Sequence, residues 1–308
     1  MSTSKSKATP ETRCGFIALV GLPNAGKSTL MNNIVGAKVS IISKKPQTTR
    51  NRILGIAIED KTQMVFVDTP GIFKAKKTLE RAMVGAAMES IAEADIVVHI
   101  VDASRKNIAD INGPIIQRLE HDKPKRCYLV LNKIDQMARQ DLLARATEMN
   151  AVYDYDQTFM ISGLKGDGVQ TLVDDFAETL PNDVWHYDED EITDMPMRMM
   201  AAEMTREQIF NQLHEELPYD MYVQTEEWEE FDNGSVKISQ VITVQKDSQK
   251  AIVLGKGGAR IKSLGQAARE ELEEFLERRV HLKLFVKVQK NWADGAEIYQ
   301  LMGLQRPS

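Results

Sequence analysis

The octapeptide Gly21-Leu-Pro-Asn-Ala-Gly-Lys-Ser28 follows directly on the apolar run Phe16 to Val20, and few folds accept that order. A buried strand that ends in a glycine turn and opens a helix belongs in a parallel α/β sheet. In such a turn successive backbone N–H groups and the helix dipole face an anion, so a phosphate chain is what it suits. Gly21 and Gly26 permit the tight turn and close backbone approach, while Leu22, Pro23, Asn24 and Ala25 complete the loop. Lys27 suits the β and γ oxygens, the Ser28 hydroxyl suits magnesium, and Thr29 follows on the first helical turn.

Four further motifs occur in a fixed order along the first half. Asp68-Thr-Pro-Gly71 closes the apolar run Met64 to Val67, which puts its carboxylate at a strand end near the loop, with the Gly71 N–H for the γ phosphate. Taken alone the tetrapeptide reads equally well as an Asx turn; its place after the phosphate loop makes it a switch. Asn132-Lys133-Ile-Asp135 follows Tyr128 to Leu131. An ionised Asp135 accepts hydrogen bonds from guanine N1–H and the 2-amino group, neither of which adenine offers, so discrimination of about 10⁴-fold is expected. Ser162-Gly163-Leu164, after Phe159 to Ile161, suits a backbone N–H to guanine O6 and is the weakest of the set. The Thr48-Thr49 pair reads either as part of the site for the nucleotide and its magnesium or as a solvated loop.

In this combination the chain resembles the translation-factor-like class of P-loop GTPases, and Pro46-Gln-Thr-Thr-Arg50 is similar to switch I of the Era family. That resemblance implies GTP and GDP with Mg²⁺ as ligands, and Thr49 as a magnesium-ligating hydroxyl beside Ser28 and Asp68. Where Ras-like switches carry a water-positioning glutamine, this chain has Ile72 and then Phe73, and positions 22 to 25 hold no arginine. Intrinsic hydrolysis is therefore expected to be slow. Asn24 matches the asparagine that coordinates potassium in relatives with a GxPNxGKS loop, which adds K⁺ as a charge in place of an arginine finger; as a loop residue it reads equally as stabilising its own turn. The expected catalytic set is Asn24, Lys27, Thr49 and Gly71.

At 308 residues the chain is long enough for two cores. The first is expected over 14–180, after a polar, disordered tail at 1–13 that lacks an apolar signal region. Residues 181–196 contain six acids, no lysine or arginine, and a proline at each end, the composition of a linker. From 197 to 303 the predicted order is α-β-β-α-α-β: a helix with Ile209, Phe210, Leu213 and Leu217 on one side, strands near Met221 to Thr225 and Val236 to Gln245, helices on either side of Gly255, and a strand from Val280 to Val288. Val253-Leu-Gly-Lys-Gly-Gly258-Ala-Arg-Ile261 resembles the KH signature with its GxxG loop; a dinucleotide fingerprint needs glycine where Arg260 stands. The fold class is thus a three-layer P-loop GTPase followed by an α+β type II KH domain.

The net charge of −6 argues against nucleic acid, but its distribution does not. From Lys246 to Lys262 five basic residues (Lys246, Lys250, Lys256, Arg260, Lys262) face one acid, Asp247. Such a patch attracts phosphate locally, and Gly255, Lys256, Gly257, Gly258, Arg260 and Lys262 are the expected RNA contacts. His281, Lys283, Phe285 and Lys287 form one face of the last strand, read as solvated or as a further RNA contact. Glu270 to Glu277 are expected to face solvent away from RNA, and Met195, Met197, Met199, Met200 and Met204 to form adaptable core. Cys14 and Cys127 lack a disulfide spacing, which fits a reducing cytosol, and no apolar run approaches the ~18 residues of a membrane span.

A GTPase followed by a type II KH domain is the architecture of the Era family. The resemblance implies a bacterial factor that binds single-stranded 16S rRNA near its 3′ end, assists assembly and maturation of the 30S subunit, and releases RNA on hydrolysis. It implies a cytoplasmic protein, expected to be a monomer, with peripheral association at the inner membrane as a further expectation. The rival readings are a constitutive RNA-binding module with a structural nucleotide and a membrane-surface signalling GTPase.

Overall fold

In the computed structural model, residues 11–43, 45, 49, 52–70, 78–213, 217–295, 298, 299 and 304 are described. Their order is β1 (Arg13–Val20), α1 (Lys27–Val35), β2 (Ile53–Glu59), β3 (Thr62–Asp68), α2 (Thr78–Glu93), β4 (Ile96–Asp102), α3 (Ile108–Asp122), β5 (Cys127–Asn132), α4 (Arg139–Asn150), β6 (Gln157–Ile161) and α5 (Val169–Thr179), then α6 (Met197–Gln212), β7 (Met221–Glu230), β8 (Val236–Val244), α7 (Asp247–Leu254), α8 (Ala259–Leu276) and β9 (Val280–Val288). The chain divides into two compact units. One takes in Met1–Ala37, Arg52–Phe73 and Gly85–Asp194, the other Lys38–Asn51, Lys74–Val84 and Met195–Ser308.

The first unit is built on a six-stranded sheet in the order β2-β3-β1-β4-β5-β6, antiparallel only between β2 and β3. Strands β3, β4 and β5 are buried along their whole length, which is why they read as continuous apolar runs rather than alternating ones. Because these strands run the same way, the residues just beyond their carboxyl ends gather along one rim, where an open α/β sheet holds its ligand. On one face Phe176 of α5 packs against Phe66 and Tyr128 with ring centroids 5.9 Å from each.

Within β4, His99 is fully buried with Nδ1 2.7 Å from the Tyr155 hydroxyl and Nε2 3.1 Å from Asn112 Oδ1. An amide oxygen only accepts, so Nε2 carries the proton and Tyr155 donates to Nδ1. Burial lowers the His99 pKa to about 4, and the ring is neutral at pH 7.

The acidic segment after α5 is more than a tether. Arg13, expected in the disordered tail, instead opens β1, its N–H held by Lys61 O at 3.0 Å, and bridges Asn182, while Cys14 N–H donates to Pro181 O at 3.2 Å. The buried Gln63 amide donates to Tyr187 O at 2.9 Å and accepts from His186 and Tyr187 N–H at 2.9 and 3.1 Å. Farther on, Ile56 N–H donates to Ile192 O at 2.9 Å and the Thr193 hydroxyl to Leu54 O at 2.7 Å. The segment thereby satisfies backbone groups along the outer edge of β2, an edge otherwise open to strand addition.

The second unit has a three-stranded sheet in the order β7-β8-β9, with β7 antiparallel and β9 parallel to β8. The helices pack on one face through Ile209, Val223, Ile242, Val253 and Leu264. A buried polar chain runs from the Thr205 hydroxyl to Gln240 Oε1 at 2.6 Å and from Gln240 Nε2 to the Thr225 oxygen at 3.1 Å. Three expectations change here. Helix α6 stops at Gln212, and Leu213 and Leu217 pack into the core from beyond its end rather than along it. Met200 and Met204 are buried as expected, but Met197 is 48% exposed. Glu271 does not face solvent: its carboxylate and that of Glu207 both engage the Lys38 ammonium.

Candidate functional site

At the rim of the first sheet the phosphate loop turns with Asn24 at φ 64° and Gly26 at φ 102°. A side chain at Gly26 would collide with the Asn132 amide, and one at Gly21 with the Ile100 carbonyl, so both positions require glycine. Lys27, at the start of α1, is buried, and its ammonium donates to the Gly21 and Leu22 carbonyls, each at 3.2 Å. Burial lowers its pKa, opposed by the nearby Asp68 charge. The Ser28 hydroxyl donates to Asp68 Oδ2 at 2.6 Å, which brings the two expected magnesium ligands of this unit together. Leu22, Pro23, Asn24 and Thr29 are half-buried around them, and Ala25 is buried.

On the base side, Asn132 acts as a clasp. Its Nδ2 donates to Ala25 O at 2.8 Å, while its Oδ1 accepts from the N–H groups of Lys133 and Gly163 at 2.8 and 2.9 Å. The Ser162 hydroxyl donates to Asp135 Oδ1 at 2.8 Å and so orients the carboxylate assigned to guanine. Leu164 is 73% exposed. Thr49 is buried and belongs to the second unit; Thr48 and Gly71 lie outside the described residues.

Asp102 went unnoticed in the sequence. Its Oδ2 lies 2.7 Å from the Lys133 ammonium, and its Oδ1 accepts from the Ser104 hydroxyl at 2.6 Å and N–H at 3.1 Å. Burial opposes ionisation of this carboxyl, but the Lys133 and Ser104 bonds outweigh it and hold the pKa below the usual range. Asp102 ends an apolar strand just as Asp68 does, but no motif follows it to mark the position.

In the second unit, α7 and α8 meet at a hinge of three left-handed glycines, Gly255 (φ 72°), Gly257 (φ 61°) and Gly258 (φ 79°). Lys256 and Gly257 project in the intervening turn, and the Arg260 guanidinium donates to Ile252 O at 3.1 Å, bracing the two helices. Beside the hinge a cavity of about 480 Å³ is lined by Ile261, Lys262, Gly265, Gln266, Arg269, Leu282 and Leu284. An added Cβ at Gly265 would sit 3.5 Å from Leu284, in ordinary contact across the cavity. Gln266 and Arg269 were missed, although they follow Lys262 at the four- and seven-residue spacing of one helix face. Their partners correct the reading of the acidic run: Gln266 donates to Glu270 at 3.0 Å and Arg269 to Glu273 at 2.6 Å, so these acids orient groove residues.

Residues 16–133 match the family described as 50S ribosome-binding GTPase, and residues 216–293 match the KH domain family. The chain is 53% identical over 296 residues to the GTPase Era of Rhizobium meliloti, covering 96% of this chain and 94% of that one. It is 50% identical over 307 residues to the GTPase Era of Mesorhizobium japonicum, covering 100% of this chain and 98% of that one. Two solved structures, an Aquifex aeolicus Era variant bound to GDP·AlF₄⁻ and Era in complex with MgGDPNP and nucleotides 1506–1542 of 16S ribosomal RNA, each superpose with a TM-score of 0.86 at 38% identity, over 95% of this chain and 99% of theirs.

Proposed function

The chain belongs to the Era family of GTPases, and we propose that it is a nucleotide-switched factor that binds single-stranded 16S rRNA near its 3′ end and assists assembly and maturation of the 30S subunit. It is a GTPase with a KH domain. One observation carries the reading: a phosphate loop with its Ser28–Asp68 pair, a base-side carboxylate oriented by Ser162, and a GxxG hinge beside an open groove stand in the same chain. The complex of a 38% identical Era with 16S rRNA nucleotides supports the choice of RNA.

In this reading the backbone N–H groups of Gly21 to Ser28 and the α1 dipole receive the phosphates, and Lys27 moves from its carbonyl partners to the β and γ oxygens. The Ser28 hydroxyl and Asp68 carboxylate are hard oxygen donors 2.6 Å apart, a pairing that suits Mg²⁺. When bound, the ion neutralises charge between the β and γ phosphates. Thr49 supplies a further hydroxyl and Gly71 an N–H at the γ phosphate. Asp135, oriented by Ser162, reads guanine, and Asp102 steadies Lys133 beside it.

No glutamine follows the Asp68 motif, so hydrolysis proceeds slowly unless charge is added. In this reading Asn24 helps to hold K⁺, and GTPase rates in potassium exceeding those in sodium support that role; equal rates contradict it. In the second unit, RNA follows Gly255, Lys256, Gly257, Gly258, Arg260 and Lys262 into the groove. The protein acts in the cytoplasm as a monomer, and among the described residues no helix is long and apolar enough to cross a membrane; peripheral attachment at the inner membrane goes through partners or electrostatics. Depleting it from its own cells tests the assembly role. Accumulation of 30S precursors with unprocessed 16S 3′ ends is expected, and normal subunit profiles contradict it.

A further inference from the structure

The outer face of β9 carries a row of side chains for which the groove has no use. Side chains alternate along a strand. Leu282 and Leu284 line the cavity, so His281, Lys283, Phe285 and Lys287 stand on the opposite face, and all four are exposed. Phe285 is 55% exposed, a large apolar surface to leave in water. It lies beside Val241 of β8, with Lys283 beside Ser239 and Lys287 beside Thr243. Neither lysine is ion-paired with a described residue. The acids on this face, Glu227 and Glu229, sit on β7 with β8 between, about 10 Å from β9. They are engaged by Lys237 at 3.6 and 2.9 Å, and Glu227 also by the Ser239 hydroxyl. Opposite Val241 and Thr243 stand the uncharged Gln224 and Tyr222.

An aromatic ring between two free cations is the pairing that single-stranded nucleic acid uses: a face for a base and charges for the flanking phosphates. Successive outward residues are about 6.6 Å apart, close to the length of one nucleotide in an extended strand. β9 is also the edge of the sheet, with the groove on one face and this row on the other. We infer that the outer face of β9 is a second contact for single-stranded RNA. A strand leaving the groove rounds the sheet edge, a base stacks on Phe285, and Lys283 and Lys287 hold the adjoining phosphates. This rests on the reading of the groove as an RNA site. An acidic peptide or an anionic lipid surface is drawn by the lysines alone, whereas the ring set between them at nucleotide spacing, on the strand that also walls the groove, favours RNA.

The test is fluorescence anisotropy of two labelled oligonucleotides from the 3′ end of 16S rRNA, one of six nucleotides to fill the groove and one of twelve to reach past it. Phe285 is exposed, so Phe285→Ala leaves the fold intact. It should weaken the longer strand by about tenfold and leave the shorter one unchanged, with Phe285→Trp restoring the lost affinity. A Lys283→Ala/Lys287→Ala variant should also lower the salt dependence of the longer strand by about 1.4 in log–log slope, as expected for two phosphate contacts. If both lengths bind and Phe285→Ala changes neither, the second contact is wrong and the groove reading stands. If the wild-type protein binds neither length, both fall. A loss of binding to phosphatidylglycerol vesicles with both oligonucleotides unaffected assigns the face to lipid and overturns the inference.

Discussion

Asp135 has its geometry set by a single hydroxyl, that of Ser162 at 2.8 Å, and the guanine reading follows from the carboxylate's two acceptors. Asp135→Asn replaces an acceptor with a donor that suits xanthine, whose 2-position is a carbonyl. Competition binding should show GTP weakened by at least about 10³-fold against XTP; an unchanged preference contradicts the assignment. Asp102→Asn removes the charge facing Lys133, and GTP dissociation measured by stopped flow should accelerate by about tenfold, one hydrogen bond between charged groups being worth about 1.5–3 kcal/mol in a part-buried setting. His99 makes a prediction about pH. Its folded pKa of about 4 lies below the unfolded value of 6.5, so the unfolded chain takes up the proton first as pH falls. The neutral ring's contribution is complete above pH 6.5 and is lost between there and 4. Between pH 7.5 and 5 the wild type should lose about 2 kcal/mol more stability in urea titrations than His99→Gln does. The phosphate loop was legible from its own residues, and Asp68 and Asp135 from their order behind it. Asp102 was not, since a lone aspartate at a strand end has no meaning until Lys133 is brought to it from 31 residues away.

The hinge between α7 and α8 separates two effects that glycine substitution usually mixes. At Gly258 an added Cβ meets nothing within 4 Å, so Gly258→Ala costs only the left-handed backbone, about 1 kcal/mol. At Gly255 the Cβ meets Arg260 N and Cβ at 2.9 and 2.7 Å, and the turn must open. Chemical denaturation should find Gly255→Ala the more destabilising by at least about 1 kcal/mol, and the reverse ranking contradicts the hinge geometry. Strands were the most legible elements, because a central parallel strand buries every side chain and an edge strand alternates: β9 runs over the predicted range. Features that depend on distant partners stayed hidden. The acidic segment's composition reads as a linker, yet its backbone pairs with β2 through Ile192. The Glu270 to Glu277 run reads as a solvated face, and Glu274 and Glu277 are exposed, yet Lys38, Gln266 and Arg269 claim the other three carboxylates.

Joining a GTPase to a KH domain gives a switch only if GTP and GDP favour RNA binding unequally, since a ligand with equal affinity for both states shifts nothing. The measurement that bears most directly on this is an equilibrium titration of a labelled oligonucleotide from the 3′ end of 16S rRNA, beside a scrambled strand, with protein loaded with GDPNP or with GDP. Selective binding several-fold tighter with GDPNP is the predicted result. Equal affinity in the two nucleotide states contradicts the switch and leaves a constitutive RNA-binding module whose nucleotide is structural.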